Sequence, residues 1–147
     1  MNILIINCSG ATAEIVNLVK EYVEEGNVVK IICIDDYEIK LCKGCRKCYE
    51  TAKCFQEDDV DNLMDTYNWA DKIVSVSPSC WADIPGQFKV FIDRCTPRCN
   101  THEPHAKLKS GKKGYTIALR TGPSMPERER IISSIEHFHG HLEIFVS

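Results

Sequence analysis

The 147-residue chain predicts an α/β fold: a doubly wound sheet of five parallel strands in the order 2-1-3-4-5, as the middle layer of an α/β/α arrangement. Three observations predict it. Short apolar runs recur with helical-period segments between them, giving the order β-α-β-α-β-α-β-α-β, which right-handed crossovers close into a parallel sheet. The runs are unbroken rather than alternating, as in strands buried on both faces. The residues of unusual chemistry follow strands one, two, three and four, and such sheets bind ligands beyond the carboxyl ends of their strands.

Each element has its own signal. Ile3 to Ile6 is an unbroken apolar run and reads as a central strand. Asn7-Cys8-Ser9-Gly10-Ala11 is a turn of small residues, and Thr12 suits a helix cap. Ile15, Leu18, Val19, Tyr22 and Val23 then repeat at helical spacing until Gly26-Asn27 stops the helix. Val28 to Ile34 is a β-branched second strand that leads through Asp35-Asp36 into a cysteine-rich loop. Asp58 or Asp59 caps a second helix with Val60, Leu63, Met64 and Tyr67 on its apolar face. Lys72 to Ser77 forms strand three, the loop Pro78 to Ile84 follows, and Pro85 opens a third helix carrying Phe88, Phe91 and Ile92. Cys95 to Gly111 reads as an irregular surface excursion. Tyr115 to Leu119 is strand four. Ser124 with Glu127 has capping-box spacing ahead of Ile131, Ile132, Ile135 and Phe138; Gly140 ends that helix and Leu142 to Val146 is strand five.

At 44% hydrophobic residues, residues 1–147 suit one domain with a single core, and the cysteine loop 41–57 reads as an insertion in it. The net charge of −3, with acids and bases interspersed, offers no field that recruits nucleic acid or anionic lipid. The chain opens directly on a strand, without a visible signal peptide, and no apolar run approaches the roughly 18 residues of a membrane span. Nine cysteines is an odd number, four of them in one short loop, which fits a secreted disulfide scaffold poorly. We therefore expect a cytoplasmic protein in a reducing compartment.

Those four cysteines, Cys42, Cys45, Cys48 and Cys54, form a Cys-x2-Cys-x2-Cys-x5-Cys array. Thiols so closely spaced suit one compact object such as an iron–sulfur cubane, whose irons take thiolate ligands. Structural zinc prefers two pairs set farther apart, and free or redox-active thiols are the third reading. Lys43, Arg46, Lys47 and Lys53 surround the array; they offset thiolate or cluster charge, or form a solvated basic loop.

At these residues the chain resembles the flavodoxin-like NADPH-dependent FMN reductases, and among them the iron–sulfur flavoproteins, over nearly its whole length to about Val146. The array with Asp58-Asp59 is similar to the compact cluster motif of those proteins in spacing and in position after strand two. Ser77-Pro78 with Trp81, Ile84-Pro85-Gly86-Gln87-Phe88-Lys89 and Phe91-Ile92-Asp93-Arg94 resemble the family's flavin-ring loop and its helix, and Thr121-Gly122 falls where its third flavin loop begins. The resemblance implies FMN bound by Ser9, Gly10, Thr12, Pro78, Ser79, Cys80, Trp81, Ile84, Thr121 and Gly122. It further implies a [4Fe-4S] cluster on Cys42, Cys45, Cys48 and Cys54, NAD(P)H as a reductant, and a homo-oligomer. A redox partner protein or small-molecule acceptor completes the electron path.

Two departures shape these expectations. The family's phosphate loop, Gly-Ser-Pro-Arg followed by polar residues and Gly-Asn-Thr, is cut here to Cys8-Ser9-Gly10-Ala11-Thr12-Ala13. A helix N-terminus still attracts phosphate. Losing two charge-assisted hydrogen bonds, each roughly 1.5–3 kcal/mol, lowers FMN affinity by about two to four decades. The chain also stops at Ser147, where family members continue, so an open apolar strip covered by a partner subunit is expected.

The remaining signals are weaker. Trp81 either contacts a flavin ring or plugs the loop onto the third helix, and nothing in the spacing gives Cys80 a base. Cys95 and Cys99 read as free thiols in the excursion, and Cys8 and Cys33 as small apolar fillers. His137, His139 and His141 point to different faces of a helix end and read as structural. His102 and His105 have no carboxylate spacing that suggests hydrolysis. Three functions stay open: an FMN-dependent electron-transfer oxidoreductase with a cluster, an NAD(P)H-dependent FMN or quinone reductase with free thiols, and an FMN-free interaction or iron–sulfur carrier module. No catalytic residue is named, because no side chain stands out as a general acid or base.

Overall fold

β1 (Asn2–Asn7) is the hub of the sheet because its apolar run leaves Ile3, Leu4, Ile5 and Ile6 almost wholly buried. In the computed structural model, which describes residues 1–10, 12–51, 53–98, 112–119, 125–141 and 144–146, β1 pairs in parallel with β2 (Val28–Cys33) and β3 (Lys72–Pro78). β4 (Lys112–Leu119) continues the sheet beside β3, and the short β5 (Ile144–Val146) pairs with β4, giving β2-β1-β3-β4-β5. Among the described residues, five α-helices accompany the strands: α1 (Thr12–Glu24), the one-turn α2 (Cys48–Thr51), α3 (Val60–Trp69), α4 (Gly86–Arg94) and α5 (Met125–His141).

Successive strand residues face opposite sides, so β1 feeds two cores. Leu4 and Ile6 pack with Leu63, Met64 and Tyr67 of α3, Phe88 and Phe91 of α4, and Ile131, Ile135 and Phe138 of α5. Phe138 meets the rings of Tyr67, Phe88 and Phe91 edge-on at centroid distances of 6.2–6.3 Å. Ile3 and Ile5 pack on the other side with Val74, Val76 and Ile15, under Leu18, Val19 and Tyr22 of α1.

The expected open apolar strip is not seen at β1 or β3, where Ile3 to Ile6, Val74 and Val76 are buried; the side chains of β5, and those of β4 apart from Gly114, lie outside the described residues. Exposed apolar groups lie instead at Val16 and Val23 of α1 and at Val28 and Ile31 of the edge strand β2. Val23 is thus not part of the buried helical face.

Several boundaries differ from the sequence expectation for physical reasons. β2 stops at Cys33, and buried Ile34 begins a 3-10 turn, Ile34–Asp36, closed by Tyr37 N–H donating to Ile34 O at 3.3 Å. The carboxylate that receives the first α3 amide is that of Asp58, which accepts from Val60 N–H at 3.2 Å; Asp59 accepts from Glu38 N–H at 2.7 Å. Pro85, with ψ 149°, precedes α4 rather than opening it. Cys95 is not a surface thiol: it is 2% exposed, with its Sγ 3.2 Å from Met64 Sδ, and Thr96–Arg98 continues as a 3-10 turn. Cys99, His102 and His105 lie outside the described residues. α5 runs through Gly140 to His141, while Ser124 of the expected capping box is outside the described residues.

Candidate functional site

The four array cysteines line one small pocket, of about 30 Å³, walled also by Lys43, Arg46, Phe55, Asp93 and Arg94. Cys42 and Cys45 are exposed, whereas Cys48 and Cys54 are half-buried. Burial pushes the Cys48 thiol up. The backbone N–H of Cys48 opposes that shift, and negative charge at Cys54, Cys42 and Cys45 adds to it. Four thiols around one pocket have the donor set of an iron–sulfur cluster. Among the described residues, no three His, Cys, Asp or Glu side chains stand at metal-ligating spacing.

The loop is anchored at its two ends. Lys40 N–H donates to Asp58 Oδ2 at 2.9 Å, Lys40 Nζ donates to Glu57 O at 2.7 Å, and Gln56 Nε2 donates to Leu41 O at 2.9 Å. The basic residues divide. Lys43 and Arg46 line the pocket, Lys43 and Lys47 lie 5.6 and 5.0 Å from the Phe55 ring centroid, and Lys53 pairs with Asp61 at 3.3 Å.

Arg94 is the residue that sequence reasoning missed. It is 3% exposed, and its guanidinium forks onto Asp58, whose side chain is 1% exposed. Burial pushes the Asp58 carboxyl up. The Arg94 guanidinium and the N–H groups of Lys40 and Val60 outweigh that and hold it below the usual carboxylate range. The readable signal was a cation three residues after Phe91, on the buried stripe of α4.

A second group of predicted residues follows the ends of β1 and β3. Cys8 N–H donates to Val76 O of β3 at 2.9 Å, carrying the β1–β3 pairing into the first loop. Ser9 donates both its N–H (3.0 Å) and its hydroxyl (2.9 Å) to Asn7 Oδ1, so Asn7 shapes the first loop. Gly10 is exposed and a Cβ there would meet nothing within 4 Å. Thr12 starts α1, but its side chain lies outside the described residues, as do Thr121 and Gly122 altogether.

After Pro78, Cys80 and Asp83 exchange backbone hydrogen bonds at 2.8 and 3.1 Å around a turn whose central residues, Trp81 and Ala82, have φ of 50° and 60°. Both φ values are unfavourable for side chains with a Cβ. The turn is pinned to α5: Ser79 donates to Glu127, and Asp83 Oδ1 accepts from Ser134 Oγ at 3.0 Å and from Ile84 N–H at 2.7 Å. It presents Trp81 fully exposed, which opposes the plug reading and suits an aromatic face waiting for a planar ring. Cys80 is exposed, and Ile84 packs against the core while lining a cavity of about 450 Å³ with Lys89, Ser134 and His137. His139 and His141 side chains lie outside the described residues.

The two groups occupy different ends of α4. The Trp81 turn precedes Gly86, and the thiol pocket takes Asp93 and Arg94 from the helix's last turn. Nine helical residues span about 13 Å. The expectation of thiols and flavin loops side by side along one rim is therefore modified.

The profile of the NADPH-dependent FMN reductase family matches residues 1–129. An iron-sulfur flavoprotein of Archaeoglobus fulgidus is 33% identical over 108 residues, 74% of this chain and 47% of that protein. One of Methanosarcina thermophila is 27% identical over 124 residues, 82% and 62% of the two chains. The chain thus spans about half the length of the curated relatives it matches. In fold it is similar to the azoreductase of Bacillus anthracis, at TM-score 0.69 and 16% identity, covering 99% of this chain and 85% of that one. With the profile covering most of its residues, this chain belongs to the NADPH-dependent FMN reductase family.

Proposed function

We propose that this chain is a flavin-dependent oxidoreductase that passes electrons between FMN at the β1–β3 edge and a [4Fe-4S] cluster in the thiol pocket. The observation that carries this reading is the gathering of Cys42, Cys45, Cys48 and Cys54 around one opening, beside a buried arginine. FMN supplies one- and two-electron chemistry when bound, and the cluster supplies single electrons. The chain's own residues hold and orient. Trp81 provides the face for the ring, and Pro78, Ser79, Cys80 and Ile84 form the loop that carries it. Asn7 sets Ser9, and the start of α1 with Ser9, Gly10 and Thr12 faces the phosphate. Thr121 and Gly122 follow β4 and would close the same edge. Lys43 and Arg46 offset negative charge at the pocket mouth. NAD(P)H is the reductant we expect, and we expect a homo-oligomer in the cytoplasm. The electron acceptor is a redox protein or a small molecule.

Anaerobic purification followed by absorbance, iron, sulfide and flavin analysis, before and after adding FMN, tests the reading. Iron and sulfide in equal amounts, with flavin uptake on addition of FMN, are expected. Flavin without iron would favour the second reading, an NAD(P)H-dependent FMN or quinone reductase with free thiols. Iron without flavin would favour an iron–sulfur carrier; neither would leave an interaction module.

A further inference from the structure

Arg94 is fixed more firmly than a surface-loop neighbour requires. Its Nη1 donates to Asp58 Oδ2 at 2.5 Å and to Lys40 O at 2.8 Å, and its Nη2 donates to Asp58 Oδ1 at 3.2 Å. Asp58 is held in turn by the N–H groups of Lys40 and Val60. The third guanidinium nitrogen, Nε, is buried and has no acceptor. Leaving such a donor unsatisfied costs about 1–3 kcal/mol, more for a charged group, so an orphan in a native fold calls for a partner. The side chain lines the pocket of the four thiols. Of the four thiols, Cys48 and Cys54 are half-buried, unlike Cys42 and Cys45 at the mouth.

We propose that Arg94 is a positioning residue of the thiol pocket, donating its Nε–H to an anionic sulfur of the half-buried pair Cys48 and Cys54 when the pocket is loaded. This inference rests on the cluster reading and adds to it the residue that sets the potential. Reduction adds one negative charge to the cluster and leaves the arginine protonated. A hydrogen bond to a ligating sulfur is therefore stronger in the reduced form and raises the midpoint potential. Asp58 has two tasks here. It neutralises the guanidinium charge, and by occupying Nη1 and Nη2 it leaves Nε as the nitrogen free to turn to the pocket.

The test compares the reconstituted wild-type protein with Arg94→Lys, which keeps a cation against Asp58 but has no Nε–H. Expected is unchanged iron content and a midpoint potential lowered by about 59 mV, a tenfold shift in the ratio of reduced to oxidised protein for one electron. Full iron loading with the wild-type potential would overturn the proposal. Should the lysine variant not fold, Asp58→Asn/Arg94→Gln removes both buried charges together and is expected to lower the potential at least as far; the wild-type potential there would also overturn it. A third readout needs no variant. In protein labelled with ¹⁵N-arginine, the Arg94 Nε–H resonance should shift and become protected from solvent exchange on loading. A resonance unchanged by loading would overturn the proposal. Failure of the wild-type protein to take up iron would sink the cluster reading and this inference with it. That outcome is distinct from a loaded wild type whose variants keep its potential.

Discussion

Trp81 and Ala82 hold a left-handed backbone that only glycine adopts without cost, at a turn that carries a wholly exposed indole. Each such residue costs about 1–3 kcal/mol, and strain of this kind persists where a site needs it. Ala82→Gly should relieve part of it. Set against glycine's greater chain entropy, the expected gain is about 0.5–1 kcal/mol, read as a higher urea midpoint with an unchanged slope. An unmoved midpoint would show that the turn stores no strain. Trp81→Ala tests the same turn from the ligand side. A side chain with no contact in the fold should change stability by less than about 0.5 kcal/mol. Its loss should weaken FMN binding about tenfold, or about 1.4 kcal/mol, in a fluorescence titration. Cys8, at the neighbouring loop, makes the opposite case: burial, with Asp35 and Cys33 nearby, pushes its thiol up, which suits a packing role rather than a reactive one.

At the scale of elements, the Asp58–Arg94 pair fastens the end of the cysteine loop to the last turn of α4. Truncating one partner strands the other charge in the core, so Arg94→Ala should cost about 3–5 kcal/mol in denaturant unfolding. The pair also sets an acid limb. Asp58 titrates lower in the folded than in the unfolded chain. Its contribution is thus complete above the unfolded value, near pH 4, and is lost as pH falls through the folded one. Asp58→Asn should flatten stability against pH below about pH 4 while leaving the slope near neutrality unchanged; an identical acid limb would count against the pair. This pair also shows where sequence reading stops. The β1 run and the faces of α3 and α4 were legible because burial is written in their local periodicity: Leu63, Met64 and Tyr67, or Phe88 and Phe91, all face the core as spaced. The partnership of residues 58 and 94 is set by packing across 36 positions, which no local pattern encodes. The choice between adjacent Asp58 and Asp59 as the acceptor for α3 hinges on which of them Arg94 and Glu38 engage. Cys95 reads as part of a polar excursion because Asp93 and Arg94 precede it and polar residues follow, whereas its own position is the next turn of the Phe91 stripe.

Over the whole molecule, the parallel sheet and the cysteine loop differ in what holds them. The sheet is stitched by β1 pairing on both sides and by two apolar cores. The loop has no residue between Leu41 and Asp58 that is fully buried among those described, and its anchors lie near its ends, at Lys40 with Asp58 and at Leu41 with Gln56. Its spacing of thiols was legible; its lack of a core was not, because the array reads as a motif whether or not its loop is packed. A ligand that binds the folded chain and not the unfolded one stabilises it by mass action, and four metal–thiolate links would supply the loop with the cross-links that apolar burial does not. Loading should therefore act unevenly. Amide hydrogen exchange should slow across residues 41–57 and stay unchanged in β1 and β3, where protection already reflects global unfolding. A chelator should reverse the change, and the apparent melting temperature should fall with it. Uniform protection of sheet and loop alike would mean that the loop is already part of the cooperative unit, and that the pocket does not need its metal to hold its shape.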